Sequence, residues 1–194
     1  MELSKYQIEQ GRTVNRREDK DSEMVEAVVG LIGEVGEVVD IVKKHVFHFH
    51  DLRYDKLDEE MGDVLWYITY VCSLFNIDVA DCGLCDRHGF DGQGSNGDAL
   101  KNPDRLPMDT VRVFMMLSKD ASAITEEYLM CYQDGRLIDK RKMEWSLTRL
   151  MATYLECCDL VGLRVCDIAR NNVEKLRKRY PGKFSAERSI NREN

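Results

Sequence analysis

The stretch SEMVEAVVGLIGEVGEVVDIVKK, residues 22–44, decides the fold class of this chain. Its apolar residues at positions 24, 28, 31, 35, 38 and 42 recur at the spacing of one buried helix face. It also contains three interior glycines, Gly30, Gly33 and Gly36. Each interior glycine costs a helix roughly 1 kcal/mol relative to alanine. The stretch therefore predicts a long helix near residues 22–46, in which another interaction offsets that cost.

Helical periodicity continues through most of the chain. It predicts further helices at residues 3–17 (one helix or two), 55–76, 108–132, 141–161 and 165–180. No alternation of period two is sustained, and the three prolines lie outside these segments. Residues 83–107 are rich in Gly, Asp and Asn, which predicts a loop or linker. The predicted fold class is an all-α helical bundle.

Composition limits the classes of partner and compartment. The chain has 194 residues, a net charge of −7 and a pI of about 5.2, which argues against nucleic acid or an anionic membrane as the main partner. The N-terminus has no apolar core typical of a signal peptide, and the longest apolar stretch is too short to span a bilayer. Seven cysteines without a framework of spacings indicate reduced thiols. We therefore expect a cytoplasmic protein.

Two acidic pairs indicate a metal site. Glu34 and Glu37 share one helix face, as do Glu60 and Asp63 in the next predicted helix. If these helices are antiparallel neighbours, four carboxylates converge, and such a cluster needs protons or cations between its members. Oxygen ligands alone favour Mg²⁺, or Mn²⁺, over zinc. A di-iron carboxylate bundle is excluded because it uses Glu-x-x-His pairs, and no histidine here follows a glutamate by three residues.

Glycines distinguish this cluster from an ordinary solvated helix face, which is the usual interpretation of a single acidic pair. Gly33 and Gly36 flank the first pair, and Gly62 lies inside the second. Positions without a side chain allow two helices to approach closely or leave room for a ligand. The neighbouring aromatic residues Trp66 and Tyr67 strengthen the prediction of a functional site.

A weak internal repeat is also present. A shift of 86 residues aligns residues 31–38 with residues 117–124, and residues 59–81 with residues 145–167, without a gap. Identical residues then include Leu31/Leu117, Cys72/Cys158, Val79/Val165 and Asp81/Asp167. The four acidic positions of the first copy become Asp120, Ala123, Ser146 and Arg149 in the second. The sequence thus predicts a tandem repeat whose second copy has lost its acidic set.

At these residues the chain resembles the MazG-like family of all-α nucleoside triphosphate pyrophosphohydrolases. The resemblance lies in GLIGEVGEVVDIVKK (30–44), LDEEMGDVLWYI (57–68) and NNVEKLRKRYPGKFSAERSINRE (171–193), with YQIEQGRT (6–13) at the start. It implies a helical, dimeric or pseudo-dimeric core that cleaves nucleoside or deoxynucleoside triphosphates to the monophosphate and pyrophosphate with Mg²⁺. In the simplest members the acidic helix and the tail helix nearly abut, whereas roughly 85 residues separate them here. Whether the tail reaches the acidic site is therefore a question for the structure.

The resemblance implies a role for individual residues. The metal ligands it implies are Glu34, Glu37, Glu60 and Asp63. The candidates for contacting the phosphates are Lys44, Asn172, Lys175 and Arg179, and the candidate for the sugar or base is Tyr67. We further expect Glu37 to act as general base, as a carboxylate not fully committed to metal. The eight Lys or Arg residues between 170 and 192 agree with a polyanionic ligand.

The expected organisation is a catalytic helical repeat at 1–82, a linker at 83–107, and a degenerate repeat with a basic tail at 108–194, all packed as one unit. We expect a homodimer or an intrachain pseudo-dimer. The alternative function is an inactive or regulatory module that binds nucleotide or a partner protein on the same scaffold. An RNA-binding tail is weakened by the acidic total and the lack of interleaved aromatic residues. A zinc site in His45/His48/His50 or Cys82/Cys85/His88 lacks the usual ligand spacings.

Overall fold

A computed structural model describes residues 1–83 and 106–190, and within them the secondary structure consists of eight α-helices without strands. They are α1 (Leu3–Gly11), α2 (Lys20–His48), α3 (Tyr54–Leu74), α4 (Val79–Gly83), α5 (Met108–Asp134), α6 (Lys140–Val161), α7 (Val165–Arg179) and α8 (Ala186–Ile190). The predicted all-α fold is confirmed. Within the described part, none of the helices is long and apolar enough to cross a membrane.

The long helix α2 extends two residues beyond its predicted range at each end. The side chain of Asp19 accepts hydrogen bonds from the backbone amides of Asp21 and Ser22, at 3.0 and 3.2 Å, and so caps the first turn. At the other end Phe49 adopts a left-handed conformation with φ of 62°. Its backbone amide donates to the carbonyl of Lys44, which closes the helix.

The predicted continuation of the first helix to residue 17 is wrong, because α1 ends at Gly11. Thr13 turns the chain: its amide and its hydroxyl both donate to the carbonyl of Gln10, at 2.9 and 2.8 Å. Trp66 then donates its indole N–H to the hydroxyl of Thr13 at 3.0 Å. The short helices α4 and α8 were not predicted, since five residues are too few to show a helical period.

Four long helices form the bundle around which the rest is arranged. Helix α2 packs against α3 and α5, and α6 packs against α5 and α3, so that the ring of contacts closes. The predicted apolar face of α2 is buried in this core, with Leu31 and Val38 fully enclosed. Helices α1 and α7 both cover the outer side of α3. This arrangement brings the C-terminal helix to the acidic helix.

Helix boundaries agree with the predicted repeat. Helix α3 begins at Tyr54 and α6 at Lys140, 86 residues later. Helix α4 begins at Val79 and α7 at Val165, again 86 residues later. These coincidences support the tandem repeat, which stays a prediction.

Left-handed backbone conformations repeat with the same period. Among the described residues, positive φ angles occur at Phe49, Asn76, Gly135 and Gly162. The two glycines follow the two other residues by 86 positions. Both pairs close a long helix, and glycine is the residue that adopts this conformation without steric strain.

The predicted division into two repeats and a linker stays a prediction as well. Most of the expected linker, residues 84–105, lies outside the described residues. Contacts of α7 with α1 and α3 join the N-terminal and C-terminal parts of the chain.

Candidate metal centre

Helices α2 and α3 position the acidic residues. Gly30 lies against Tyr67, and seven residues further along α2, Glu37 lies beside Glu60. Since the partner positions run backward along α3, the two helices are antiparallel, as predicted. The face of α2 that carries Glu34 and Glu37 therefore meets the acidic face of α3 at one level of the bundle.

Three of the four predicted ligands lie together. Glu34, Glu37 and Glu60 each offer a carboxylate oxygen, and these oxygens all lie within 4.8 Å of one another. Glu34 and Glu60 are partly buried, whereas Glu37 is exposed. Two like charges about 4 Å apart repel by about 4 kcal/mol at an effective dielectric constant of 20, so the group calls for a cation or a proton.

Burial and neighbouring negative charge raise the pKa values of two carboxyls in this group. Burial, followed by the charges of Asp63, Glu37 and Glu60, raises the pKa of Glu34 from 4.5 to about 7. Burial and the charges of Glu37 and Asp63 likewise raise the pKa of Glu60. Lys175 opposes both shifts. A cation placed among these oxygens would displace the protons that they favour.

Asp63 lies beside this group and is already engaged by the C-terminal helix. Lys175 donates from Nζ to both of its carboxylate oxygens, at 2.7 and 2.6 Å. Asn172 donates from Nδ2 to Oδ1 of Asp63 at 2.9 Å. The separation of roughly 85 residues does not keep the tail from the acidic helix. A role of Asp63 as metal ligand stays a prediction.

The cationic side of the site extends along α7. Nζ of Lys175 lies 3.7 Å from the carboxylate of Glu59, next to the cluster. The pKa of Glu59 is lowered by its hydrogen bond with Lys56 and by the charges of Lys175 and Arg179. Lys175 and Arg179 therefore place positive charge beside the carboxylates, which is the arrangement that a metal–polyphosphate complex requires.

Close approach explains two of the glycines. A Cβ on Gly30 would lie 2.0 Å from Cε1 of Tyr67, so the ring of this tyrosine occupies the place of a side chain. A Cβ on Gly62 would lie 3.0 Å from Nδ2 of Asn172. By contrast, added Cβ atoms on Gly33 and Gly36 would meet nothing within 4 Å. Gly33 and Gly36 therefore do not allow a close approach of two helices. They leave open space beside the glutamates.

Two predicted substrate contacts lie on α2 and α3. Tyr67 is partly buried, packs on Gly30 and meets the ring of Trp66 edge to face, with centroids 4.8 Å apart. Lys44 is half exposed and pairs with Asp40 at 2.5 Å. It makes no described ion pair with the acidic cluster. The substrate roles of both residues stay predictions.

Sequence reasoning did not identify Tyr6 as a residue of this site. Tyr6 is fully buried, and its hydroxyl donates to Oδ1 of Asn172 at 2.8 Å. The only signal was its place at the start of YQIEQGRT, one of the segments that carry the family resemblance. A tyrosine at helical spacing is otherwise an ordinary core residue.

The corresponding positions of the second half form an ion pair. Asp120, which aligns with Glu34, is 4% exposed and accepts from Arg149 at 2.7 Å and from Thr153 at 2.8 Å. Arg149, which aligns with Asp63, also lies over the ring of Trp145, 4.7 Å from its centroid. In the described part, the acidic group of α2 and α3 is the one cluster of three or more potential metal ligands.

The histidines near the end of α2 make backbone contacts. Nδ1 of His45 lies 2.8 Å from the carbonyl oxygen of His50, and Nε2 accepts from the backbone amide of Leu106 at 3.2 Å. The rings of His48 and His50 lie 6.3 Å apart. In the other considered cluster, Cys85 and His88 lie outside the described residues, and Sγ of Cys82 lies 4.0 Å from Sγ of Cys72.

Comparison with known proteins identifies the segment that holds the acidic cluster. Residues 24–82 match the family model of the MazG nucleotide pyrophosphohydrolase domain. This segment comprises most of α2 and all of α3 and carries the three clustered glutamates and Asp63. Searches of curated proteins and of solved structures each gave no match. The resemblance seen in the sequence is confirmed for this part of the chain.

Proposed function

We propose that this chain, whose residues 24–82 form a MazG nucleotide pyrophosphohydrolase domain, hydrolyses nucleoside or deoxynucleoside triphosphates to the monophosphate and pyrophosphate with Mg²⁺. The observation that carries this proposal is the convergence of Glu34, Glu37 and Glu60 within 4.8 Å, beside the Lys175–Asp63 ion pair. Carboxylates and a cation side by side suit a substrate that brings both phosphates and metal.

The donor set fits a hard divalent cation. All the ligand atoms are carboxylate oxygens, which favour Mg²⁺, with Mn²⁺ as a substitute. Burial and the neighbouring carboxylates raise the pKa values of Glu34 and Glu60, and such a cation would stabilise the charged form of both groups. Glu34, Glu37, Glu60 and Asp63 would hold the metal, which when bound neutralises the phosphate chain and lowers the pKa of a water molecule.

The cations of α7 hold the phosphates in this proposal. Lys175 donates its hydrogen bonds to Asp63, and it would transfer them to phosphate oxygens when substrate is present. Arg179 lies on the same helix and Lys44 on α2, as further donors, whereas the buried amide of Asn172 donates to Asp63. Tyr67 packs beyond the acidic level, where the sugar or base of a bound triphosphate would lie.

Glu37 is our candidate for the general base, because it is the exposed member of the three glutamates. It accepts a proton from the attacking water as the water oxygen bonds to phosphorus. The phosphoanhydride bond between the α- and β-phosphates breaks, and pyrophosphate leaves. Glu34 and Glu60, which are partly buried, would hold the metal, and Lys175 would orient the phosphate chain.

We also propose that one chain forms a pseudo-dimer, in which α5 and α6 take the place of a second subunit. The closed ring of contacts among α2, α3, α5 and α6 supports this arrangement. A homodimer is the alternative, and the molar mass measured by light scattering separates the two.

A reducing, cytoplasmic compartment suits the six described cysteines, all of which are free thiols.

Release of pyrophosphate from a panel of triphosphates tests the proposed reaction. We expect release with Mg²⁺, none with a chelator, and a loss of at least about a hundredfold in kcat for Glu60→Gln. Glu156→Gln, on the exposed side of α6, is the matched control and should keep wild-type turnover. A wild-type protein that binds nucleotide but releases no pyrophosphate would instead support the regulatory binding module.

A further inference from the structure

A hydrogen-bonded chain links the first helix to the acidic site. The hydroxyl of Tyr6, on α1, donates to Oδ1 of Asn172, on α7, at 2.8 Å. The amide nitrogen of Asn172 in turn donates to Oδ1 of Asp63, on α3, at 2.9 Å. Tyr6 is fully buried and Asn172 is 3% exposed, so the bond between them is shielded from water.

The bond from Tyr6 fixes which end of the Asn172 side chain faces Asp63. An asparagine amide has an acceptor end and a donor end of nearly equal shape. A donor at Oδ1 holds the NH₂ group toward the carboxylate. In the reversed orientation the carbonyl oxygen of Asn172 would face the carboxylate of Asp63, and the two would repel.

Gly62 makes room for this arrangement. A Cβ at position 62 would lie 3.0 Å from Nδ2 and 3.1 Å from Cβ of Asn172. These separations are tighter than ordinary van der Waals contact, so a side chain at 62 would push Asn172 away. Gly62 therefore leaves the space that Asn172 needs for its hydrogen bond to Asp63.

We propose that Tyr6 is a positioning residue of the metal centre, which acts through Asn172 to hold the carboxylate of Asp63 beside Glu34, Glu37 and Glu60. Tyr6 and Asn172 both lie outside residues 24–82, so the matched domain alone does not contain a complete site. Helix α1 thus becomes part of the functional machinery. This inference rests on the proposed function, because it assumes that Asp63 serves a metal site.

Binding of Mn²⁺ to the full-length protein, followed by electron paramagnetic resonance, provides the test. Tyr6→Phe keeps the ring and removes the hydroxyl, and we expect it to weaken Mn²⁺ binding about 3- to 10-fold, the usual effect of one lost buried hydrogen bond. The matched control is Tyr70→Phe, since Tyr70 is also buried and its hydroxyl has no hydrogen-bond partner in the described part. The control should bind Mn²⁺ like the wild type.

A double-mutant cycle separates positioning from general stabilisation. If Tyr6 acts through Asn172, then adding Tyr6→Phe to Asn172→Ala should weaken Mn²⁺ binding no further. Additive losses would overturn the proposal, as would an unchanged affinity in Tyr6→Phe.

Gly62→Ala supplies a second route if Tyr6→Phe folds poorly. It should weaken Mn²⁺ binding to a similar degree, because the added Cβ displaces Asn172. Gly11→Ala on α1, where a Cβ meets nothing within 4 Å, is its control. Unchanged binding in Gly62→Ala would count against the proposal. A wild-type protein that binds no Mn²⁺ would overturn the proposed function and this inference together, and it would do so before any variant is made.

Discussion

Glu34 is a carboxyl group whose neighbours alter its chemistry. It is partly buried, and this burial, followed by the charges of three further carboxylates, raises its pKa to about 7. The folded chain therefore binds a proton at Glu34 more tightly than the unfolded chain does. This preference stabilises the fold fully below pH 4.5 and is lost as the pH rises through about 7.

Glu34→Gln should remove this pH dependence. With a chelator present, we expect the stability advantage of the wild type over the variant to be larger at pH 5 than at pH 8, because only the wild type gives up the proton. Urea unfolding of both proteins at the two pH values measures the difference. Parallel pH profiles would show that Glu34 is not perturbed by its neighbours.

Lys175 should act on phosphate, whichever base the nucleotide carries. A charge-assisted bond to a phosphate is worth about 1.5–3 kcal/mol, so Lys175→Ala should lower kcat/KM by roughly 10- to 150-fold. The loss should be similar for every accepted nucleotide, since all share the triphosphate. Lys178→Ala, exposed on the same helix, is the control and should have little effect. If kcat/KM fell only for nucleotides that carry one particular base, Lys175 would contact the base and not the phosphates, and the prediction would be wrong.

At the level of secondary structure, helix α2 ends in a strained backbone conformation. Phe49 and Gly135 both close a long helix in the left-handed conformation, with φ of 62° and 63°. This conformation costs a residue with a side chain roughly 1–2 kcal/mol, whereas glycine adopts it freely. Phe49 is 77% exposed and so loses little burial when it is replaced.

Phe49→Gly should stabilise the protein by about 0.5–1 kcal/mol, because relief of strain outweighs the greater freedom of glycine in the unfolded chain. Gly135→Ala should destabilise it by about 1 kcal/mol for the opposite reason. Phe47→Gly, inside α2, is the control and should also destabilise, since glycine lowers helix propensity. Chemical denaturation measures all three. Destabilisation by Phe49→Gly would show that the ring of Phe49 contributes more than its backbone costs.

Helical periodicity predicted the helices that are long enough to show several turns. The apolar face of α2 and the pairs Glu34/Glu37 and Glu60/Asp63 follow from helical spacing and from a short connection between neighbouring helices. The end of α1 did not follow, because the hydrogen bonds of Thr13 to Gln10 and to Trp66 depend on tertiary structure.

Contacts between distant parts of the chain limited the prediction of the site. Asn172 and Lys175 reach Asp63 from more than a hundred residues away, and Tyr6 reaches Asn172 from the other end of the chain. No local pattern encodes such pairs. The family resemblance identified two of these residues as candidates, and the structure was needed to bring them to Asp63.

For the molecule as a whole, the helices that the predicted repeat aligns differ in chemistry at the aligned acidic positions. Where the first half has Glu34 and Asp63, the second has an ion pair between the buried Asp120 and the partly exposed Arg149. A guanidinium there neutralises the remaining carboxylate without a metal. This supports the prediction that the second half is a scaffold for the first.

Asp120→Ala should therefore lower stability and leave turnover nearly unchanged. We expect a loss of about 1–3 kcal/mol, because Arg149 and Thr153 lose their acceptor. Thermal unfolding and pyrophosphate release measure the two effects separately, with Glu156→Gln as the control that changes neither. A loss of turnover as large as that of Glu34→Ala would reverse the assignment of the active and inactive halves.

In the proposed mechanism, Glu34, Glu37 and Glu60 hold the catalytic metal beside the cations of α7. A crystal grown with Mn²⁺ and a non-hydrolysable triphosphate analogue, measured for anomalous scattering, tests it most directly. We predict an anomalous peak among the oxygens of these three glutamates, with Lys175 or Arg179 within hydrogen-bond distance of a phosphate. A peak elsewhere in the molecule, or bound analogue without metal at these carboxylates, would contradict the claim.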